Sequence, residues 1–126
     1  MQQFVDIVEH KEIRDLARKF GEREIKPILE EYEQKEELPL QLVKKMGDLG
    51  FFGIVVPEAY GGIGLDYWAY AAFLEEMARY GSIRATVTAQ QSLVATPILN
   101  FGTDAQKEKY LPLLATGQLI GSYGLT

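Results

Sequence analysis

A chain of 126 residues, 47% apolar and 25% charged, has the length of one domain and the balance of an ordinary globular protein. A net charge of −5 leaves no basic stripe to neutralise phosphates, which argues against nucleic acid, and no run is long and apolar enough for a membrane span or a secretory leader. With no cysteine and one histidine, His10, the chain offers no disulfide, zinc–thiolate site, cysteine nucleophile or multi-histidine metal centre, and it fits a reducing cytoplasm.

From the N-terminus, Ile13, Leu16, Ala17 and Phe20 form one apolar helical stripe, while His10 sits in a charged stretch expected to face water. After Gly21 the stripe resumes at Ile25, Ile28, Leu29 and Tyr32, with Pro27 expected to kink or restart the helix. Pro39 suits the first turn of a helix that turns Leu42, Val43, Met46 and Leu49 inward and ends at Gly50. Phe51–Val56 is a compact apolar run and reads as a strand. The glycines after it, Gly61, Gly62 and Gly64, lack the G-x-G-x-x-G spacing and the lysine of a phosphate loop, so they read as turn glycines.

Asp66 can cap the next helix, whose buried face is expected at Tyr67, Tyr70, Ala71, Leu74, Met77 and Ala78, with Glu75, Glu76 and Arg79 in water. The segment from Ala85 to Phe101 differs in kind, because it carries no charge and most of its side chains are small. A helix without a charged face is buried on most sides, either in close packing or beside a cavity. Pro97 is expected to bend or end it. Thr103 and Gln106 then have the spacing of a capping box for a helix running through Leu114.

Residues 117–126 (GQLIGSYGLT) alternate large apolar groups with glycine and small polar residues, as a pleated strand does. A lone strand needs a partner edge, and nothing upstream supplies an obvious one. The expectation is an all-α fold, an antiparallel helical bundle with a terminal strand-like segment. Residues 1–116 form the helical domain and 117–126 begin a further β-domain in a larger protein. No carboxylate pair, nucleophile–base pair or metal-ligand spacing stands out, so no catalytic residue is assigned.

Three stretches in register resemble the acyl-CoA dehydrogenase family: Leu49–Gly64 (LGFFGIVVPEAYGGIG), Phe101–Pro112 with its Gln106-Lys107-Glu108-Lys109-Tyr110-Leu111, and Gly117–Thr126. The resemblance covers nearly the whole chain and implies the N-terminal domain of an FAD-dependent enzyme that α,β-dehydrogenates acyl-CoA thioesters. It implies a catalytic glutamate in a C-terminal domain, electron-transfer flavoprotein as acceptor, and a homo-oligomer, commonly a tetramer. The family's first flavin-contacting stretch matches Tyr123, Gly124, Leu125 and Thr126, with the Thr126 hydroxyl on the isoalloxazine ring; an interdomain strand is the plainer alternative. The uncharged helix corresponds to the acyl-chain wall, with Ala85, Thr86, Ala89, Gln90, Leu93 and Val94 as lining candidates. Ser82-Ile83-Arg84 followed by Gln91-Ser92-Leu93-Val94 is similar to the glutaryl-CoA dehydrogenase branch, in which an arginine matching Arg84 holds the distal carboxylate. Otherwise Arg84 points to solvent or pairs with Glu75 or Glu76. An acyl-CoA oxidase type of relative and a stand-alone helical interaction module are the other readings, and the piece alone is expected to be inactive and flavin-free.

Overall fold

Apolar residues three and four apart wind the first segment into α1 (Val8–Phe20), which buries Ile13, Ala17 and Phe20. The computed structural model describes residues 7–126; the first six, which carry part of the leader expectation, lie outside the described residues. Gly21 does not interrupt the helix. Residues Gly21–Ile25 form one π-helical segment with right-handed backbone on both sides, and the rod continues as α2 (Lys26–Lys35). Glycine is required there for a different reason: a Cβ at position 21 would lie 2.5 Å from Cζ of Tyr80. Pro27 lies in the first turn of α2, directly after this widened turn, where the α-helix restarts. A π turn shifts the hydrogen-bond register, so a proline that cannot donate is accommodated next to it.

Helix α3 (Leu40–Asp48) has Pro39 at its N-cap and buries Leu42, Val43 and Met46, while Leu49 stays 37% exposed. Gly50 follows with φ +78°, a conformation that glycine adopts without strain. Phe51–Val56 is not a strand. Phe51, Phe52, Ile54 and Val56 are buried, but the backbone is irregular and its polar groups are satisfied from several sides. The amides of Ile63 and Leu65 donate to the carbonyls of Gly53 and Ile54, both at 2.8 Å. The Gln91 side chain meets two further backbone groups. A short apolar run fixes burial but not how its backbone is paired.

Helix α4 (Tyr67–Met77) is capped as expected, with the Asp66 carboxylate accepting from the Ala69 amide at 2.8 Å. Its buried face is Ala69, Tyr70, Ala72, Phe73, Glu76 and Met77, rotated from the expected stripe, so Tyr67 (59% exposed), Ala71 and Ala78 face outward. The helix is apolar nearly all round, and the sequence alone could not choose between two stripes. α1 selects the one used. His10, expected in water, is buried and its Nε2 lies 2.9 Å from Asp66 Oδ1. Glu76, also expected in water, is only 4% exposed; Arg18 donates to it at 2.8 Å, and Arg14 and Arg79 stand nearby. Since His10 meets Asp66 and Arg18 meets Glu76, α1 and α4 run in the same direction within the bundle.

The hydrogen bond from Arg18, reinforced by the charges of Arg18, Arg79 and Arg14, holds the Glu76 carboxyl below its ordinary value of 4.5 against the opposing effect of burial. The unfolded chain therefore binds the proton more tightly than the fold does. The stabilisation is complete above the ordinary carboxyl range and is lost as pH falls through the lower folded value. Thermal unfolding should thus lose stability between about pH 5 and 3, and Glu76→Gln should flatten that slope while costing about 1–2 kcal/mol at neutral pH. An unchanged slope in the variant would assign the acid sensitivity elsewhere.

The uncharged segment is one continuous rod: α5 (Gly81–Thr88), a π-helical stretch Ala89–Ala95, and α6 (Thr96–Phe101). Pro97 does not end it; it lies in the first turn of α6, directly after the π-helical stretch. Helix α7 (Asp104–Ala115) opens with the full Thr103–Gln106 capping box and returns antiparallel to this rod, so that Gln90 meets Leu114. Val56, Ala95, Leu111 and Ala115 form a small second core there. Residues 120–126 have no regular structure. The chain is all-α, and no helix among the described residues is long and apolar enough to cross a membrane.

Candidate functional site

The rod from Gly81 to Phe101 presents one face to the second core and leaves another uncovered. Along it Arg84, Ala85 and Leu93 (44% exposed) are exposed, and Thr86, Ala89 and Val94 are half-buried. Thr86 and Thr88 donate their hydroxyls to the carbonyls of Ser82 and Arg84, at 3.1 and 2.9 Å. Those bonds use the polar atoms within the helix and leave methyl groups as contact surface. The result is an apolar strip one helix long. Of the six lining candidates, Thr86 borders a cleft of about 390 Å³ whose rim carries Glu33, Glu36 and Glu37.

Arg84 stands at the N-terminal end of the strip, exposed, and its guanidinium has no acid within ion-pair distance among the described residues. The two carboxylates that could have taken it are engaged elsewhere. Glu75 accepts from Arg14 at 2.6 Å and Glu76 from Arg18 at 2.8 Å. An unpaired guanidinium beside an apolar strip is available to a planar anion, which it can hold through two parallel charge-assisted bonds.

Gln90 and Gln91 are both buried in the π-helical stretch, and the widened turn directs them at different segments. Gln91 donates to the Phe51 carbonyl at 2.7 Å and accepts from the Ile54 amide at 2.9 Å, closing the irregular 51–54 loop. Gln90 donates to the carbonyls of Leu114 (2.9 Å) and Leu119 (2.7 Å) and accepts from the Gly121 amide at 2.7 Å. Next to it, Ser92 shares a 2.8 Å hydrogen bond with Tyr70, whose phenol is pushed up by burial. Sequence reasoning named Gln90 as lining and missed that its amide holds the tail. The available signal was two amides in a charge-free buried helix, which must find partners.

The tail is thus brought against the uncharged rod. A Cβ at Gly121 would come within 2.6 Å of Val94 Cγ1, so the chain passes the rod in close contact. Beyond Gly121 it separates: Tyr123 (54%), Gly124, Leu125 (80%) and Thr126 are exposed, and among the described residues no hydrogen bond ties them to the bundle. A Cβ at Gly124 would meet nothing within 4 Å. Their amides, carbonyls and the Thr126 hydroxyl remain unspent, and Gly124 leaves the backbone open to close approach. Of the predicted site residues on the rod, Gln90 and Val94 meet the tail, both at Gly121. Among the described residues no group of three or more acids and histidines could hold a metal.

Comparison with known proteins adds a family. Residues 8–118 match the model of the acyl-CoA dehydrogenase N-terminal domain. A 3-(aryl)acrylate reductase of Clostridium sporogenes is 44% identical over 119 residues, covering 94% of this chain and 32% of the relative. Butyryl-CoA dehydrogenase from Megasphaera elsdenii superposes with a TM-score of 0.91 at 36% identity, over 99% of this chain and 34% of that one. An acyl-CoA dehydrogenase from Bacillus anthracis, determined with FAD, has a TM-score of 0.84 at 42% identity, over 92% of this chain and 20% of that one. The chain spans about a third or less of the length of these relatives.

Proposed function

The chain belongs to the acyl-CoA dehydrogenase family, as its N-terminal helical domain, and from that premise we propose that it serves an FAD-dependent enzyme that removes one hydrogen from each of Cα and Cβ of an acyl-CoA thioester. The observation that carries this reading is the juxtaposition of an uncharged helical strip with a tail whose polar groups are unspent. Residues 1–116 are the helical domain and 117–126 the entry to a β-domain.

When bound, FAD supplies the acceptor for the β-hydrogen. Tyr123, Gly124 and Leu125 would hold it through backbone and side chain, and Thr126 through its hydroxyl. A single such hydroxyl is worth on the order of 1 kcal/mol of binding, enough to tune the ring but not to retain it alone. The methyl-bearing strip of Ala85, Thr86, Ala89, Leu93 and Val94, backed by Gln90, would pack along the acyl chain and exclude water from the carbons that react. Arg84 at the strip's end would hold a distal carboxylate, which suits a glutaryl-type acyl group. The group that takes the α-proton is assigned to a C-terminal domain outside these residues, and electrons pass on to an electron-transfer flavoprotein. The full-length protein acts as a homo-oligomer in the cytoplasm.

The test is anaerobic. Full-length protein should purify with stoichiometric flavin whose visible absorbance bleaches on addition of butyryl-CoA or glutaryl-CoA. The 126-residue piece alone should be colourless and inactive. Full-length protein that takes up no flavin, or whose flavin no acyl-CoA reduces, would overturn the reading.

A further inference from the structure

We propose that Gln90 is a positioning residue that fixes where the flavin-facing segment leaves the bundle. The inference rests on the function proposed above, because it assigns the 123–126 segment to the flavin. Gln90 is 1% exposed, and its amide is fully used: both N–H groups and the carbonyl reach backbone groups of a single stretch, Leu114 to Gly121. Apart from these, the last backbone hydrogen bond that ties the tail to the bundle runs from the Leu119 amide to the Leu113 carbonyl, at 3.0 Å. One side chain therefore does for the tail what a neighbouring strand would do, supplying alternating donors and an acceptor to a backbone that has no ladder.

Two features set the register of this clamp. The π-helical stretch puts Gln90 and Gln91 both into the interior, one for the tail and one for the 51–54 loop. Gly121, passing against Val94, admits no side chain without moving the tail outward. Gln90 thus sets the height and direction at which residues 122–126 emerge, next to Val94. A shift of about 1 Å at such a point is enough to cost binding and rate heavily at a reacting centre. Gln90 touches neither flavin nor substrate on this account.

Gln91 provides the structural control, since it too is buried and bonds two backbone groups, but none in the tail. In the full-length protein, Gln90→Leu should speed amide exchange at Gly121 by about tenfold or more while α4 amides such as Phe73 keep their protection. It should also weaken FAD binding by about tenfold and move the flavin reduction potential. Gln91→Leu, at comparable loss of thermal stability, should leave Gly121 exchange, FAD affinity and potential at wild-type values. If Gln90→Leu does not fold, Gly121→Ala acts from the tail side through its contact with Val94 and should give the same flavin and exchange signature. Unchanged Gly121 exchange in the folded variant overturns the clamp. Faster exchange with FAD affinity within twofold of wild type overturns the positioning role. Wild-type protein that takes up no FAD removes the proposed function and the flavin role with it, while the exchange measurement still decides whether the clamp exists.

Discussion

Gly62→Ala is expected to cost about 3 kcal/mol of stability, near the upper end for a single added methyl group. A Cβ at that position would fall well inside contact distance of the Val56 carbonyl oxygen, 2.5 Å from the Val56 carbonyl carbon and 2.6 Å from its Cβ. These are not the far ends of flexible side chains. The Val56 carbonyl accepts from the Gly64 amide at 2.9 Å, and Val56 itself is 1% exposed in the second core with Ala95, Leu111 and Ala115. Making room for the methyl group means moving the 61–65 loop off the 53–57 segment or pulling Val56 from that core. Two other glycines calibrate the result. Gly61→Ala meets only Pro112, no closer than 3.7 Å, but must hold φ +82°, and should cost about 1 kcal/mol. Gly124→Ala meets nothing and should be near neutral. Chemical unfolding midpoints of the three variants should fall in that order, and a Gly62→Ala midpoint beside that of Gly124→Ala would mean the loop yields freely.

The same loop shows how far the sequence could be read. Gly61, Gly62 and Gly64 are legible as turn glycines because turn chemistry is local. The Asp66 cap and the Thr103–Gln106 box were legible for the same reason, each being decided within four residues. Errors arose where the deciding partner lies far along the chain. Glu76 reads as surface because three arginines, two of them on α1, are what make its burial tolerable. His10 reads as surface until Asp66 is beside it. Phe51–Val56 reads as a strand because nothing in the run itself reveals that a glutamine 37 residues beyond Ile54 pairs its backbone.

At the site, residue types were legible and their connections were not. A charge-free run of small side chains identifies the strip, and alternation in 117–126 identifies a backbone in need of partners. The structure joins these two facts through Gln90, a residue expected only as lining. Periodicity assigns a face to each side chain but does not say what that face meets, so the hydrogen-bond demand of a buried amide was the one clue available from sequence.

Arg84→Ala is expected to reduce kcat/KM for glutaryl-CoA by about tenfold or more in the full-length protein while changing that for butyryl-CoA little. The expected size follows from a charge-assisted pair worth roughly 1.5–3 kcal/mol, set beside a butyryl group that presents no carboxylate at that place. The geometry favours availability: Glu75 and Glu76 are held by Arg14 and Arg18, so among the described residues no ion pair competes for the Arg84 guanidinium. Removing it should therefore leave the fold intact, and unfolding midpoints of Arg84→Ala and the wild type should agree within the range of ordinary surface changes, about 0.5 kcal/mol. Arg84→Lys separates charge from shape. A lysine keeps the charge but not the two-pronged fork, so it should recover part of the glutaryl-CoA rate and leave the butyryl-CoA rate where it was. Equal losses on both substrates would place Arg84 in a role shared by all acyl groups, such as docking the domain that carries the catalytic base, and would remove the carboxylate clamp.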